Sequence, residues 1–288
     1  MSSTESRHGI VAGIDGSPSA VDAACWAATA AARLGEPLRL VHVRPAGDTA
    51  DPDGTAALDE AEQAVRKSQP DLQIERVTDT GPPARVLVDY SKSVRMLVLG
   101  RTGTSEMRSM FVGSDVVRVT NHAHCPVVVW RGERSPEHDR RPVVVGVDGS
   151  ELSGTAVAQA YEFASMLRVG LIAVHAWSEQ SSLGYGESRR FVDWKGHEAH
   201  ESAVLSEMLS GWADKFPDVE VTRHVERGSA RGALLRHSEQ AQLVAVGSHG
   251  RNPVLAAMLG STTQNLLHHA VCPILICRRE PNENSHRT

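Results

Sequence analysis

Short apolar runs rich in Val, Ile and Leu alternate with longer amphipathic stretches along the whole chain, the pattern of parallel strands joined by covering helices. In the first half, strands are predicted at Gly9 to Ile14, Leu38 to Val43, Gln73 to Thr78, Met96 to Leu99 and Val127 to Trp130. Helices fill the gaps at Ser17 to Leu34, Thr55 to Ser68, Pro82 to Ser91 and Ser114 to His122. Ser17-Pro18 reads as a capping residue followed by proline at the first helical position. The second half repeats the series, with strands at Val143 to Val147, Val169 to His175, Glu220 to Val225, Leu243 to Val246 and Ile274 to Cys277. Right-handed crossovers turn such a series into a doubly wound, Rossmann-like α/β sheet, whose ligands bind at the carboxyl ends of the strands where strand order reverses.

The two halves are copies of one unit. Gly100, Gly103, Gly113 and Ser114 follow the pattern Gly-x2-Gly-x9-Gly-Ser, and Gly247, Gly250, Gly260 and Ser261 repeat it at an offset of 147 residues. Nearer the start of each copy the offset is 133, which pairs Gly13-Ile14-Asp15-Gly16-Ser17 with Gly146-Val147-Asp148-Gly149-Ser150, and Val41-His42-Val43 with Val174-His175-Ala176. The rise places an insertion of 14 residues in the second copy, between Ser178 and His200. A repeat of this length is a duplicated domain.

At 288 residues the chain holds two domains of about 100 to 150 residues each. We assign residues 8–132 to the first, 133–141 to a short polar linker containing Pro136, and 142–279 to the second. A net charge of -5 offers no footprint for a nucleic-acid backbone. Cys25, Cys125, Cys272 and Cys277 lack CxxC or scaffold spacing, so reduced, mostly buried thiols in a cytoplasmic protein are expected. Met1 to His8 has no apolar leader, and no apolar run is long enough to span a membrane.

The special residues gather at strand ends. Asp15, Val43 and Gly100 in the first copy, and Asp148, Ala176 and Gly247 in the second, all fall where predicted strands meet loops. A loop with glycines three apart lets backbone N–H groups converge on an anion, and the helix start beyond it adds partial positive charge. Ser114 and Ser261 are placed to donate a hydroxyl to that anion and to cap the helix. No GxxxxGK[ST] is present, so a lysine-clamped P-loop is excluded. Asp15 and Asp148 have two compatible roles, contact with a sugar or base and capping of the helix that follows Asp-Gly-Ser.

These residues resemble the universal stress protein family in its tandem form, over about residues 8–131 and 141–278. The loop Gly247-Ser248-His249-Gly250 is similar to that of the ATP-binding branch. The resemblance implies a five-stranded parallel sheet per domain with helices on both faces, and ATP held in the crevice. Asp15 and Asp148 would then contact adenosine, the backbones of Val43 and Ala176 the base, and the glycine and serine positions with Thr262 the ribose and phosphates. It also implies an internal pseudo-dimer paired through the last strands, a homodimer as a further assembly, and a stress-response regulator that changes its protein partner interactions with bound nucleotide. The alternatives are a slow ATPase or phosphotransferase, or a binder of AMP or cyclic AMP.

One position departs from the pattern. Asp115 follows Gly113-Ser114 where the second copy has Thr262. A carboxylate there suits the helix dipole but repels a phosphate unless Mg²⁺ intervenes, with Arg101 available to offset it, so the second site is expected to be the better filled. Three other groupings have simpler readings. Asn121-His122-Ala123-His124-Cys125 is read as a helix end before a strand and not as a zinc cluster. His197, His200, Glu198 and Glu201 are read as a solvated helix face. The aromatic insertion, with Trp177, Tyr185, Phe191 and Trp194, is read as packing or as cover for the second site. No GxSxG elbow or triad is present, and no catalytic residue is assigned.

Overall fold

A computed structural model describes residues 7–44, 54–101, 113–131, 139–178, 194–250 and 258–278. The chain divides into two compact units, one built on residues up to His138 with Arg278 onward, the other on Asp139–Cys277.

In the first unit, β1 (Ile10–Ile14), α1 (Pro18–Leu34), β2 (Leu38–Arg44), α2 (Thr55–Ser68), β3 (Ile74–Thr80), α3 (Pro83–Tyr90), β4 (Met96–Gly100), α4 (Ser114–His122) and β5 (Val127–Trp130) follow in order. The strands are parallel in the order β3-β2-β1-β4-β5. Strand order therefore reverses between β1 and β4, and Asp15 and Gly100 leave the sheet on either side of that crevice. The central strands are dry: Ile10, Val11, Ala12, Leu97 and Val98 are fully buried, as a parallel sheet covered on both faces requires.

Local chemistry explains the helix ends. Ser17 caps α1 by accepting from the Ala20 N–H at 3.2 Å, with Pro18 opening the helix. Gly35 closes it in the left-handed region at φ 67°. Nine of the 17 residues of α1 are buried, seven of them alanine, so the helix lies close on the sheet.

The second unit runs β6 (Val143–Val147), α5 (Glu151–Leu167), β7 (Leu171–Trp177), α6 (Trp194–Met208), α7 (Trp212–Lys215), β8 (Val221–Arg227), α8 (Ala230–Ser238), β9 (Leu243–Gly247), α9 (Ser261–His269) and β10 (Ile274–Cys277). Its order, β8-β7-β6-β9-β10, repeats that of the first unit, with the crevice between β6 and β9. β7 begins two residues later than the apolar run suggests. Val169 N–H still donates to the Ala164 carbonyl, and Arg168 takes the left-handed cap position that Gly35 fills in the first unit. The helix terminus thus absorbs residues that read as strand. Tyr161, Trp212 and Phe216 stack with ring centroids 5.7 to 6.2 Å apart, tying α7 to α5.

Among the described residues, no helix is long and apolar enough to cross a membrane. All four cysteines are free; Cys125, Cys272 and Cys277 are buried and Cys25 is half-buried. Burial pushes the Cys125 thiol up to about 12, which works against the thiolate a zinc site would need.

Candidate functional site

At the reversal point of the second unit lies a cavity of about 470 Å³. Asp148, Ala176, Gly247, Gly250, Gly260, Ser261 and Thr262 all line it, so residues from four separate stretches of chain meet at one crevice. Asp148 leaves the end of β6, Ala176 belongs to β7, and Gly247 ends β9. His249, Trp177, Ala230 and Glu201 complete much of the wall.

The two ends of the loop after β9 are held by hydrogen bonds to backbone carbonyls. Ser248 N–H donates to the Cys277 carbonyl at 3.0 Å, and Gly260 N–H donates to the Ser248 carbonyl at 2.8 Å. Thr263 Oγ1 donates to the Gly247 carbonyl at 2.8 Å, which ties the first turn of α9 to the end of β9. Gly250 approaches Asp148 so closely that a Cβ there would sit 2.7 Å from Oδ2. A side chain there would have to displace the Asp148 carboxylate, and the close approach is what brings loop backbone to it.

Ser261 is not the cap of α9. Gly260 occupies that position, in extended conformation at φ -62° and ψ 153°, and no side chain caps the helix. The same correction applies to Ser114, where Gly113 precedes α4 without a side-chain cap. A serine one residue into the helix cannot turn its hydroxyl back onto the first-turn amides as a capping residue does. In the second unit the uncapped first turn of α9, residues Ser261 to Thr263, lines the cavity, with the helix dipole behind it.

Asp148 serves the following helix as well as the cavity. Its Oδ1 accepts from the Ser150 N–H at 2.9 Å, and Asp15 Oδ1 likewise accepts from the Ser17 N–H at 2.9 Å and from the Ser17 hydroxyl at 2.6 Å. Each aspartate therefore shapes the Asp-Gly-Ser turn through one oxygen while lining its cavity.

The first unit encloses about 140 Å³ at its reversal point, lined by Asp15, Val43 and Gly100. Gly113 and Ser114 start α4 beside this cavity and are not among the residues that line it, whereas Asp115 is. Gly103 lies outside the described residues. Arg101 does not line the cavity either; it is buried, and burial followed by the nearby Arg131 charge pulls its guanidinium below the usual value.

The repeat also aligns His42 with His175, two histidines to which the sequence pattern gives no role. His42 donates from Nδ1 to the Ile14 carbonyl at 2.8 Å, and His175 donates from Nδ1 to the Val147 carbonyl at 2.7 Å. Each imidazole thus ties the second strand of its sheet to the first at the mouth of the crevice. Their other partners differ. His175 Nε2 lies 2.6 Å from Glu201 Oε2, with the imidazole buried and the carboxylate nearly so at the cavity wall. Glu201 corresponds at the 147-residue offset to Gly54, which packs directly on the His42 ring in the left-handed conformation at φ 59°. Glu201 is therefore not on a solvated face, although Glu198 and His200 of the same helix are exposed. His197 stacks on Trp177 at 6.5 Å, so the start of α6 packs against the cavity wall. Tyr185 and Phe191 lie outside the described residues.

The universal stress protein family model matches residues 7–131 and 139–278. A universal stress protein of Mycobacterium tuberculosis is 36% identical over 299 residues, covering 96% of this chain and 99% of its own. One from Mycolicibacterium smegmatis is 32% identical over 297 residues, covering 96% and 99%. Among solved structures, a universal stress protein from Archaeoglobus fulgidus superposes with a TM-score of 0.68 at 17% identity, covering 95% of this chain and 99% of that one.

Proposed function

The chain belongs to the universal stress protein family, and from that premise we propose that it is an ATP-binding regulatory protein whose second unit carries the stronger site. The observation that carries this reading is the 470 Å³ cavity, which lies within the roughly 300 to 1,000 Å³ of small-ligand pockets and joins an uncapped helix start to a glycine loop. Glycine-loop amides, the first turn of α9 and the Ser261 and Thr262 hydroxyls would hold phosphates through neutral donors and a dipole. Asp148 would hold the ribose or base, and the Ala176 backbone the base edge. Among the described residues no lysine or arginine lines this cavity.

In this reading ATP draws the loop after β9 and the start of α9 together and thereby biases the surface shown to a protein partner. In the first unit Asp115 faces the cavity, and Mg²⁺ would have to stand between it and a phosphate. The test is purification under native conditions, acid release, and chromatographic identification of the nucleotide with its stoichiometry. ATP close to one per chain, lost in a Gly250→Ala variant, is the expected result. AMP or cyclic AMP in its place would change the ligand and keep the site. No nucleotide, and none bound on re-addition, would overturn the reading.

A second reading, slow ATP hydrolysis, is favoured by His249, which lines the cavity with Nδ1 3.1 Å from the Ser248 hydroxyl. A His249→Ala variant that binds ATP but has lost a measurable wild-type turnover would support it. Equal turnover in both would dismiss it.

A further inference from the structure

Outside the cavity, the second unit gathers two imidazoles and a carboxylate on the edge strand of its sheet. His224 and Glu226 are two residues apart on β8 and so share one face of the pleat, and His237 of α8 packs over them. One ligating atom from each lies within 4.8 Å of the other two. His237 Nε2 is 2.7 Å from Glu226 Oε1, and the His224 and His237 ring centroids are 4.9 Å apart.

We propose that His224, Glu226 and His237 form a binding site for one Zn²⁺ or a similar first-row divalent cation, with water completing the coordination. Two imidazoles and one carboxylate with an open fourth position are a ligand set that zinc accepts. With metal–ligand bonds of about 2.0 to 2.1 Å, tetrahedral ligand atoms stand roughly 3.3 Å apart. Replacing the proton between His237 and Glu226 with a metal ion therefore asks those two atoms to separate by roughly 0.6 Å, a side-chain adjustment. The second carboxylate oxygen is already held, since Arg236 donates to Glu226 Oε2 at 2.5 Å. That leaves Oε1 for the metal and gives the carboxylate the outer partner that orients metal ligands.

The duplication supplies an internal control. At the 147-residue offset the first unit has Val77, Asp79 and Tyr90 where the second has His224, Glu226 and His237. Asp79 there hydrogen-bonds Tyr90, so the strand-to-helix contact exists in both units without imidazole. Packing alone is satisfied by valine and tyrosine, and only the second unit places three ligands at that junction. The site adjoins the cavity: Glu226 pairs in register with Ala176, and α8 carries the cavity residues Ala230 and Leu234. A bound ion would clasp this edge strand to the helix that walls the crevice. The inference does not depend on which nucleotide, if any, the cavity holds.

The test uses the full chain, stripped with a chelator and titrated with Zn²⁺ against a chromogenic competitor. The variants are His224→Val, His237→Tyr and the pair, which install the residues the first unit already folds with. Each single change is expected to weaken binding at least tenfold, given that loss of even a supporting partner costs roughly 10- to 100-fold. The double variant should lose one equivalent of Zn²⁺. Identical titrations of wild type and double variant would overturn the proposal. If either change prevents folding, Glu226→Gln decides: a drop of about tenfold or more supports the site, and an unchanged affinity overturns it.

Discussion

The two crevices descend from one unit, yet they enclose about 470 and 140 Å³ and present different chemistry. The second carries Thr262 where the first has Asp115, and a buried Glu201 where the first has Gly54. The scaffold is common to both: the same strand order, the same Asp-Gly-Ser turn, the same histidine bonded to the first strand. What separates them is a handful of positions on helices and loops that the sheet does not constrain. After duplication, packing preserved the sheet while the crevice walls were free to diverge.

The glycines that end the β4 and β9 strands test how far the common scaffold extends. A Cβ on Gly100 would meet the Ser19 backbone carbon and oxygen at 2.7 Å, whereas one on Gly247 would meet the Leu152 side chain at 3.1 Å and the His249 carbonyl oxygen at 3.2 Å. The first is a clash with backbone that must shift, the second a tight contact that a few tenths of an ångström relieve. Gly100→Ala should therefore destabilise its unit by about 2–3 kcal/mol, near the top of the range for overpacking, and Gly247→Ala by about 1 kcal/mol. Chemical denaturation of the two variants checks the order, and equal losses would show that the two strand ends are not packed as described.

Glu201 marks the sharper difference. Glu201→Ala leaves His175 Nε2 desolvated without its carboxylate, an expected loss of about 1–3 kcal/mol, while Glu201→Gln keeps a hydrogen-bonding group and loses less. Because Glu201 and Ala176 both line the second cavity, Glu201→Ala should also weaken ATP there and leave the first unit untouched. Calorimetric titration of the variant, beside its unfolding curve, separates the two effects. A stability unchanged by Glu201→Ala would mean that His175 finds water in its place.

Much of the fold was legible because periodicity and punctuation agree. Val127 to Trp130, Val143 to Val147 and Ile274 to Cys277 are apolar runs bounded by polar or proline-containing segments, and each forms a strand within those bounds. β7 starts later because a left-handed Arg168 ends α5 where sequence gives no glycine to signal it. The crevice residues were legible from the duplicated glycines, but not who caps whom: Ser261 and Ser114 look like capping residues, and the extended glycine before each takes that place. His175 and Glu201 were hidden for a different reason. They are 26 residues apart in sequence, and their pairing depends on where α6 lands after the insertion, which no local pattern encodes. The one available signal was the substitution of Glu201 for Gly54 in an otherwise matching repeat.

The smallest expected effect addresses charge alone. Asp115 lies in the first turn of α4 and lines the first cavity, while α9 has no acidic residue in its first turn. Exchanging the two residues leaves both scaffolds intact, so only the field at the helix start changes. A carboxylate within a few ångströms of a phosphate opposes it by roughly 1–2 kcal/mol at a solvated site, near a tenfold change in affinity. Asp115→Thr should strengthen ATP at the first site by about that factor, and Thr262→Asp should weaken the second by the same factor. Both shifts should shrink with added salt if the repulsion is solvent-exposed. Titration of each variant with and without Mg²⁺ distinguishes simple repulsion from a carboxylate that recruits the ion: in the second case Asp115→Thr lowers first-site affinity when Mg²⁺ is present. If neither exchange moves either site, charge at this position does not set the difference between the units, and cavity size remains to account for it.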